Sequence, residues 1–306
     1  MSERTLKGLV IVALVLVAAW GASAILGGRS GGGGGGSDSP LQRAFSGIRE
    51  DGTASVELRR ASDTLRLTRE GGRWTVNGHD TDSSAVGRFW SAVDSARVTE
   101  LAARNPSHHE ALGVDESDAL ALVFRREDGD SVRVLLGKAG PYYPSQYARL
   151  PGEDAVWLVG GPLRREASRP LSDWRDRTVV RVDTSAVRAV SIVRHDTTLL
   201  VQRGDSAWTL DGRPVAAAAA RGILAQLADL QASGFAPDSA RPGGSTRVVA
   251  ALGAGGDTLA VVRFSERAEQ GYYASVPGRD LLFQLPAYRV DRVAPSRETL
   301  QPPDSR

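Results

Sequence analysis

The chain has 306 residues, of which 41% are hydrophobic and 24% are charged, a composition that excludes a wholly disordered chain or a polytopic membrane protein. It contains no cysteine, which excludes disulfides, thiolate zinc sites, iron–sulfur clusters and cysteine nucleophiles. Lysines and arginines number 38 against 36 aspartates and glutamates. This balance gives no strong field to attract nucleic acid, so no nucleic-acid partner is predicted.

The first element in chain order is an apolar segment. Residues 8–28 contain no charged side chain, and a helix of that length would be about 31 Å long, the thickness of a bilayer core. Arg4 and Lys7 precede the segment, which favours a cytoplasmic N-terminus. We therefore predict a signal anchor, or transmembrane helix, over residues 1–28. The small residues Ala22-Ser23-Ala24 leave open a cleavage after Ala24.

A glycine-rich linker follows at residues 29–40 and includes six consecutive glycines. Its composition is typical of a flexible tether. A phosphate-binding loop is excluded because no strand precedes the glycines and no Gly-Lys-Ser/Thr follows them. These features predict a single-pass protein of the cytoplasmic membrane, bound through residues 8–28, with the bulk of the chain extracytoplasmic (periplasmic).

The rest of the chain is an internal duplication. Trp74-Thr-Val-Asn-Gly recurs as Trp208-Thr-Leu-Asp-Gly at an offset of 134 residues. Further along, Tyr147-Ala-Arg-Leu-Pro-Gly recurs as Tyr273-Ala-Ser-Val-Pro-Gly at an offset of 126. The blocks keep their order and the offset changes little, which indicates two copies of one unit.

Each copy has the pattern of alternating strands around one helix. Alternating apolar and polar residues indicate half-buried antiparallel strands, and Asn77-Gly78 and Asp211-Gly212 are typical of tight turns. An apolar stripe then predicts a helix in each copy, with Asp82 or Ser83 as the N-cap of the first. The stripes are Val86, Phe89, Trp90, Val93 and Val98 in the first copy and Ile223, Leu224, Leu227 and Leu230 in the second.

Four more strands are predicted after each helix. They lie near 119–126, 131–136, 146–150 and 155–159, with partners near 246–252, 257–264, 271–276 and 281–285. The predicted fold is α+β: two tandem repeats, residues 41–177 and 178–306, each a mainly antiparallel sheet with one main helix, behind an N-terminal transmembrane helix.

Several short motifs together resemble an uncharacterised bacterial family, the domain of unknown function 4340 (DUF4340). They are Gly-Gly-Arg-Trp-Thr-Val at 71–76, Leu-Gly-Val-Asp at 112–115, Leu-Gly-Lys at 136–138, Tyr-Ala-Arg at 147–149, Val-Trp-Leu-Val at 156–159 and Asp-Trp-Arg-Asp-Arg at 173–177. The resemblance implies an envelope protein associated with ABC-type transport systems of the gliding-motility kind, and it implies no catalytic residue. The second copy lacks the Leu-Gly-Val-Asp and Asp-Trp-Arg-Asp-Arg elements.

No catalytic constellation is visible, and an enzyme is not predicted. His108 and His109 are adjacent but lack a metal-ligand spacing, so no metal site and no cofactor are predicted. No Gly-x-Ser-x-Gly elbow occurs. Asp173 and Asp176, with Arg175 between them, form an inter-repeat junction with local ion pairs or, as a third class of function, the acids of an envelope hydrolase.

Two tyrosine pairs, Tyr142-Tyr143 and Tyr272-Tyr273, lie near glycines and are candidate contacts for a sugar or a partner protein, as are Asp173, Arg175 and Asp176. We expect a non-enzymatic accessory or scaffold protein of an envelope system, an ABC-type transporter auxiliary within a membrane or envelope protein complex. The alternative is an extracytoplasmic carbohydrate- or peptidoglycan-binding module that uses the tyrosines.

Overall fold

The computed structural model describes residues 38–302, apart from 238, 242, 267, 268 and 270. The chain divides into two compact units with the boundary between Trp174 and Arg175. Among the described residues, each unit contains one nine-stranded sheet, and every pair of neighbouring strands in both sheets is antiparallel.

The first unit contains strands β1–β9 and helices α1–α5. The strands are Thr53–Arg59, Thr64–Glu70, Arg73–Val76, His79–Asp80, Arg97–Ala103, Leu120–Arg126, Ser131–Ala139, Ser145–Arg149 and Val156–Gly160. The helices are Pro40–Ser46, Ser83–Asp94, His109–Leu112, Leu163–Ala167 and Leu171–Trp174, with a 3₁₀ helix at Pro106–His108. The strand order in the sheet is β4-β3-β2-β1-β6-β7-β8-β9-β5.

The second unit contains strands β10–β20 and helices α6–α8. The strands are Thr178–Val180, Ala189–Arg194, Thr197–Arg203, Trp208–Leu210, Arg213–Pro214, Leu230–Gln231, Gly234–Phe235, Arg247–Leu252, Thr258–Glu266, Gly271–Ser275 and Phe283–Pro286. The helices are Ala217–Ala228, Ala287–Val293 and Arg297–Leu300. The large sheet has the order β14-β13-β12-β11-β17-β18-β19-β20-β16, and β10 pairs with β15.

The two large sheets therefore share one strand order, with β1 equivalent to β11 and β6 to β17. Trp74 and Trp208 lie on the equivalent strands β3 and β13. Both tight turns that follow have positive φ at their two central residues, 47° and 81° at Asn77-Gly78 and 52° and 75° at Asp211-Gly212. These are the angles that a two-residue hairpin requires.

One face of the first sheet is buried against helix α2. Asp82 caps this helix, since its side-chain oxygen accepts from the backbone N–H of Ser84 at 2.7 Å. Phe89 of α2 packs edge-to-face on Trp174, with ring centroids 5.5 Å apart. The helix ends at Asp94, so Val98, predicted on its apolar stripe, instead lies on strand β5.

The second unit buries the equivalent face in the same way. Ile223 and Leu227 of α6 pack into a core that includes Val190 and Ile192 of β11. Leu230, predicted on the same stripe, lies on the short strand β15. In both units the predicted stripe thus continued past the end of the helix into the next strand.

The predicted fold and location need correction. Besides its main helix each unit has short helices and strands that were not predicted, namely β4 and β5 in the first unit and β10, β14, β15 and β16 in the second. No helix among residues 38–302 is long and apolar enough to cross a membrane. The longest, α2 and α6, have 12 residues each, or about 18 Å against a bilayer core of about 30 Å.

This finding corrects the prediction of a single-pass cytoplasmic-membrane protein, since the described helices include no membrane span. Residues 8–28, where the span was predicted, and residues 29–37 of the predicted linker lie outside the described residues. The remainder of that linker caps and begins α1: Ser39 Oγ accepts from the backbone N–H of Gln42 at 3.0 Å, and Leu41 and Phe45 are buried in the first core.

The outer face of the first sheet is partly covered by the turn at Leu112–Asp115. A Cβ on Gly137 of β7 would lie less than 3.0 Å from the carbonyl oxygen of Leu112 and from Val114 Cγ1. The buried Arg149 donates through Nε to the carbonyl oxygen of Val114 at 2.7 Å. The motifs at 112–115, 136–138 and 147–149, all of which contribute to the family resemblance, therefore contact one another here. This contact fixes the position of the end of β7, where the next loop begins.

We expect Gly137→Ala to lower the free energy of unfolding by about 1 to 3 kcal/mol, because the added methyl group would displace the 112–115 turn from β7. The matched control is Gly87→Ala on the exposed side of α2, where a Cβ meets nothing within 4 Å. That change should stabilise by about 0.5 to 1 kcal/mol through helix propensity. Urea denaturation measures both, and equal effects of the same sign would refute the contact.

Candidate functional site

The structure places the two predicted tyrosine pairs in different settings. Tyr142 and Tyr143 lie in the loop between β7 and β8 and are 71% and 84% exposed. Tyr272 and Tyr273 lie within β19, and Tyr272 is only 8% exposed. The pairs are therefore not equivalent in the duplicated fold: both tyrosines of the first are exposed, whereas in the second Tyr272 is buried and Tyr273 is partly exposed.

Tyr272 is held from two sides within the second unit. The Arg247 guanidinium lies 4.7 Å from the centre of its ring, and Nη2 of the same arginine donates to the tyrosine hydroxyl at 2.6 Å. Arg247 also pairs with Asp291 at 2.6 Å. These contacts give Tyr272 a structural role in the packing of α7 beside the sheet.

A cleft of about 250 Å³ lies beside Tyr143 in the first unit. Tyr143, Pro144, Gly161, Arg164, Arg165 and Ser168 are among the residues that line it. A Cβ on Gly140, at the start of the loop, would overlap Leu158 and Ser145, so the loop approaches the sheet closely there. The cleft is thus formed between the β7–β8 loop and helix α4.

Its wall is fixed by the buried side chain of Gln146. The amide Nε2 donates to the carbonyl oxygen of Val159 at 3.0 Å, and Oε1 accepts from the backbone N–H of Arg164 at 3.4 Å. The Arg164 guanidinium donates through Nη1 to the carbonyl oxygen of Leu136 at 3.3 Å. Burial lowers the pKa of Arg164, since the charged form loses hydration.

The neighbouring Arg165 connects the cleft to a buried acid. It donates to the Tyr143 hydroxyl at 2.7 Å and to Glu166 Oε1 at 2.9 Å, while Arg169 donates to Glu166 Oε2 at 2.7 Å. Burial acts to raise the pKa of Glu166, but the hydrogen bonds and charges of Arg169 and Arg165 outweigh it and lower that pKa. The Tyr143 hydroxyl is therefore held by a network of charged side chains that includes the buried Glu166.

The predicted junction residues are divided between the units. Asp173 belongs to the first unit, and Arg175 and Asp176 belong to the second. Arg175 is buried over the ring of Phe235 at 3.9 Å, and Asp176 Oδ1 accepts from the backbone N–H of Thr178 at 2.9 Å. Arg175 and Asp176 thus have packing and turn-forming contacts within their own unit.

Histidine and acidic side chains do not gather in the described part of the chain: it has no group of three or more that could hold a metal ion. His109 Nε2 lies 3.0 Å from the carbonyl oxygen of Asp154. This contact ties the short helix α3 to the loop between β8 and β9.

The outer face of the first sheet carries a charged cluster. Glu57 of β1 is 3% exposed. It accepts from Arg59 Nε at 2.9 Å and from Arg66 Nη2 at 3.0 Å, and Arg125 lies 3.6 Å away. Arg133 of β7 lies on the same face and pairs with Glu116 at 3.3 Å. We call the surface of Arg59, Arg66, Arg125 and Arg133 around Glu57 the arginine face.

The second sheet has uncharged residues at the equivalent positions of its outer face. The strand pairing makes Ser191 equivalent to Glu57, and Val193, Leu200, Leu252 and Val261 equivalent to the four arginines. Leu200 is 40% exposed, and the other three apolar side chains are partly exposed. We call the surface of Val193, Leu200, Leu252 and Val261 the apolar face.

Sequence reasoning did not single out Arg164, Arg165 or either outer face. The faces had a signal, since the repeat offset of 134 aligns Arg59 with Val193 and Arg66 with Leu200. Arg164 and Arg165 had none, because their significance depends on the β7–β8 loop that folds against them.

By its fold the protein is a tandem pair of antiparallel-sheet units. Residues 74–248, more than half of the chain, match the family described as a domain of unknown function (DUF4340), and the chain belongs to that family. The resemblance of its motifs is thereby confirmed, while the implied association with ABC-type transport is not shown. No curated protein and no solved structure matches the chain.

The charged cluster predicts a pH-dependent stability. Burial acts to raise the pKa of Glu57, but Arg59, Arg66 and Arg125 outweigh it and lower that pKa below its ordinary 4.5. A carboxyl group whose pKa is lower in the folded than in the unfolded protein stabilises the fold at pH values above its unfolded-state pKa. That contribution is lost as the pH falls through the folded-state pKa.

We therefore expect Glu57→Gln to lower the free energy of unfolding by about 1 to 3 kcal/mol at pH 7, with the difference from wild type shrinking below pH 4.5. Urea denaturation followed by tryptophan fluorescence reports on this unit, which holds four of the five described tryptophans. Glu70→Gln, at an exposed position of β2, is the control and should change the value by less than about 0.5 kcal/mol. A difference that persists unchanged at pH 3 would contradict the assignment.

Proposed function

We propose that this protein is a non-enzymatic scaffold whose two units bind partners through different outer sheet faces. The proposal is supported by the exchange of all five charged residues of the arginine face cluster for uncharged residues in the second unit. Since the inner faces keep the same apolar packing, the exchange changes the surface and leaves the fold intact.

The apolar face is the stronger candidate docking surface of the two. The exposed Leu200, together with the three partly exposed apolar residues of this face, offers apolar area that a partner protein would remove from water. The four arginines of the arginine face already contact acids, since Arg59 and Arg66 donate to Glu57, Arg125 lies 3.6 Å from it and Arg133 pairs with Glu116. A partner would therefore have to compete with these internal contacts. An ABC-type transporter, suggested by the family resemblance alone, enters the proposal as one class of partner.

Site-specific photo-crosslinking tests this assignment in the protein's native cells. With benzoylphenylalanine in place of Leu200, we expect a discrete crosslinked product. Placed at Arg66, the equivalent position of the first unit, the same group should give little product. Val261→Arg, which introduces the residue that the first unit has there, should reduce the product at position 200 by about tenfold or more.

Arg66→Leu is the matched control and should leave the product at position 200 unchanged. Because Val261 lies on the outer face, Val261→Arg should cost less than about 1 kcal/mol of unfolding free energy. Equal products at positions 66 and 200, or a product that Val261→Arg does not diminish, would contradict docking at the apolar face.

A second candidate, saccharide binding, is favoured by the exposure of Tyr142 and Tyr143 beside the cleft. Aromatic rings held at a protein surface offer a flat apolar area against which one face of a sugar ring packs. Tyr272 is buried and held by Arg247, so the second unit offers no matching pair.

Pelleting with purified cell wall tests the second candidate. We expect Tyr142→Ala combined with Tyr143→Ala to reduce the bound fraction by about tenfold, because the stacking surface is removed. Tyr288→Ala is the control, since Tyr288 is 60% exposed but lies on α7 of the second unit. Equal losses in the two variants, or no binding by the wild type, would remove the cleft from consideration as a saccharide site.

A further inference from the structure

The cleft beside Tyr143 contains an arginine whose charge no acid balances. Arg164 lines the cleft, and its one side-chain hydrogen bond among the described residues goes to the carbonyl oxygen of Leu136. No carboxylate of the described residues lies within ion-pair distance of it. A half-buried guanidinium has lost part of its hydration, so a bound anion would compensate for that loss.

The adjacent arginine has a different role. Arg165 pairs with Glu166, an acid that Arg169 and Arg88 also contact, and donates to the Tyr143 hydroxyl, so it positions the aromatic ring. The cleft therefore presents two features side by side: a cation that lacks a counter-ion, and an exposed ring whose hydroxyl is already fixed. Arginine binds carboxylates in a planar, bidentate geometry that neutral groups do not match.

We propose that this cleft binds a carboxylate-bearing sugar, with the carboxylate on Arg164 and the sugar ring against Tyr143. The cleft, at about 250 Å³, is smaller than sites for drug-sized ligands, which begin near ~300 Å³. It therefore holds one sugar ring, and the rest of a saccharide chain extends into solvent. This inference deepens the saccharide-binding candidate and rests on it.

Titration calorimetry of the full chain of 306 residues tests the proposal with methyl β-D-glucuronide, the neutral methyl β-D-glucoside and acetate. We expect the glucuronide to bind most tightly. Arg164→Gln should weaken glucuronide binding by about tenfold or more and leave glucoside binding unchanged, since only the charge-assisted contact is lost. Tyr143→Ala should weaken binding of both sugars.

Two further variants separate recognition from folding. Arg164→Lys retains the charge without the bidentate geometry, so glucuronide binding should fall less than in Arg164→Gln. Arg104→Gln removes an exposed arginine that does not line the cleft and should change nothing. Thermal melts of all variants show whether the fold is intact.

The outcomes distinguish this inference from the candidate on which it rests. Equal affinity for both sugars, or glucuronide binding that Arg164→Gln does not weaken in a folded protein, would overturn the carboxylate assignment. Saccharide binding at Tyr143 would then still stand. Acetate binding as tight as that of the glucuronide would overturn the inference that the cleft recognises a sugar ring. If neither sugar binds, this inference and the saccharide-binding candidate both fail.

Discussion

The burial of one face of each nine-stranded sheet against helices is the constraint on which the rest of this structure depends. Along a strand, side chains point alternately to the two faces, so every second residue is committed to the core. Val56 and Leu58 are fully buried in this way, and Val190 and Ile192 repeat the arrangement in the second unit. The residues between them face away from the core, so they can differ between the two copies without changing that packing.

The same close packing also determines the positions of the loops. The turn at 112–115 approaches β7 so closely that residue 137 has room only for glycine. Arg149 satisfies the carbonyl oxygen of Val114 from the adjacent strand. Once these elements are fixed, the β7–β8 loop is held at both ends, and the hydroxyl of its Tyr143 accepts a hydrogen bond from Arg165 of helix α4. The position of the cleft therefore depends on the close packing of the 112–115 turn against the sheet.

Much of the fold could be predicted from the sequence because its signals are local and repeated. Trp74 and Trp208 marked equivalent strands, and the turn residues at 77–78 and 211–212 adopt the positive φ that their types favour. Strand β5 was missed because register shifts near Val98 and Leu101 interrupt the alternation that identifies a strand. Tertiary contacts that depend on distant segments, such as Arg165 with Tyr143, leave no local pattern to detect.

The exchange of the arginine face for the apolar face has a consequence for how the two copies have diverged. On the inner face, replacing an apolar residue with a charged one would leave an unpaired charge in the core and be removed by its effect on folding. At partly exposed positions of the outer face, such as 193 and 261, the same replacement leaves the charge in contact with water and costs little stability. At these partly exposed positions folding constrains the residue type less, so the two copies can carry different outer surfaces on one strand order.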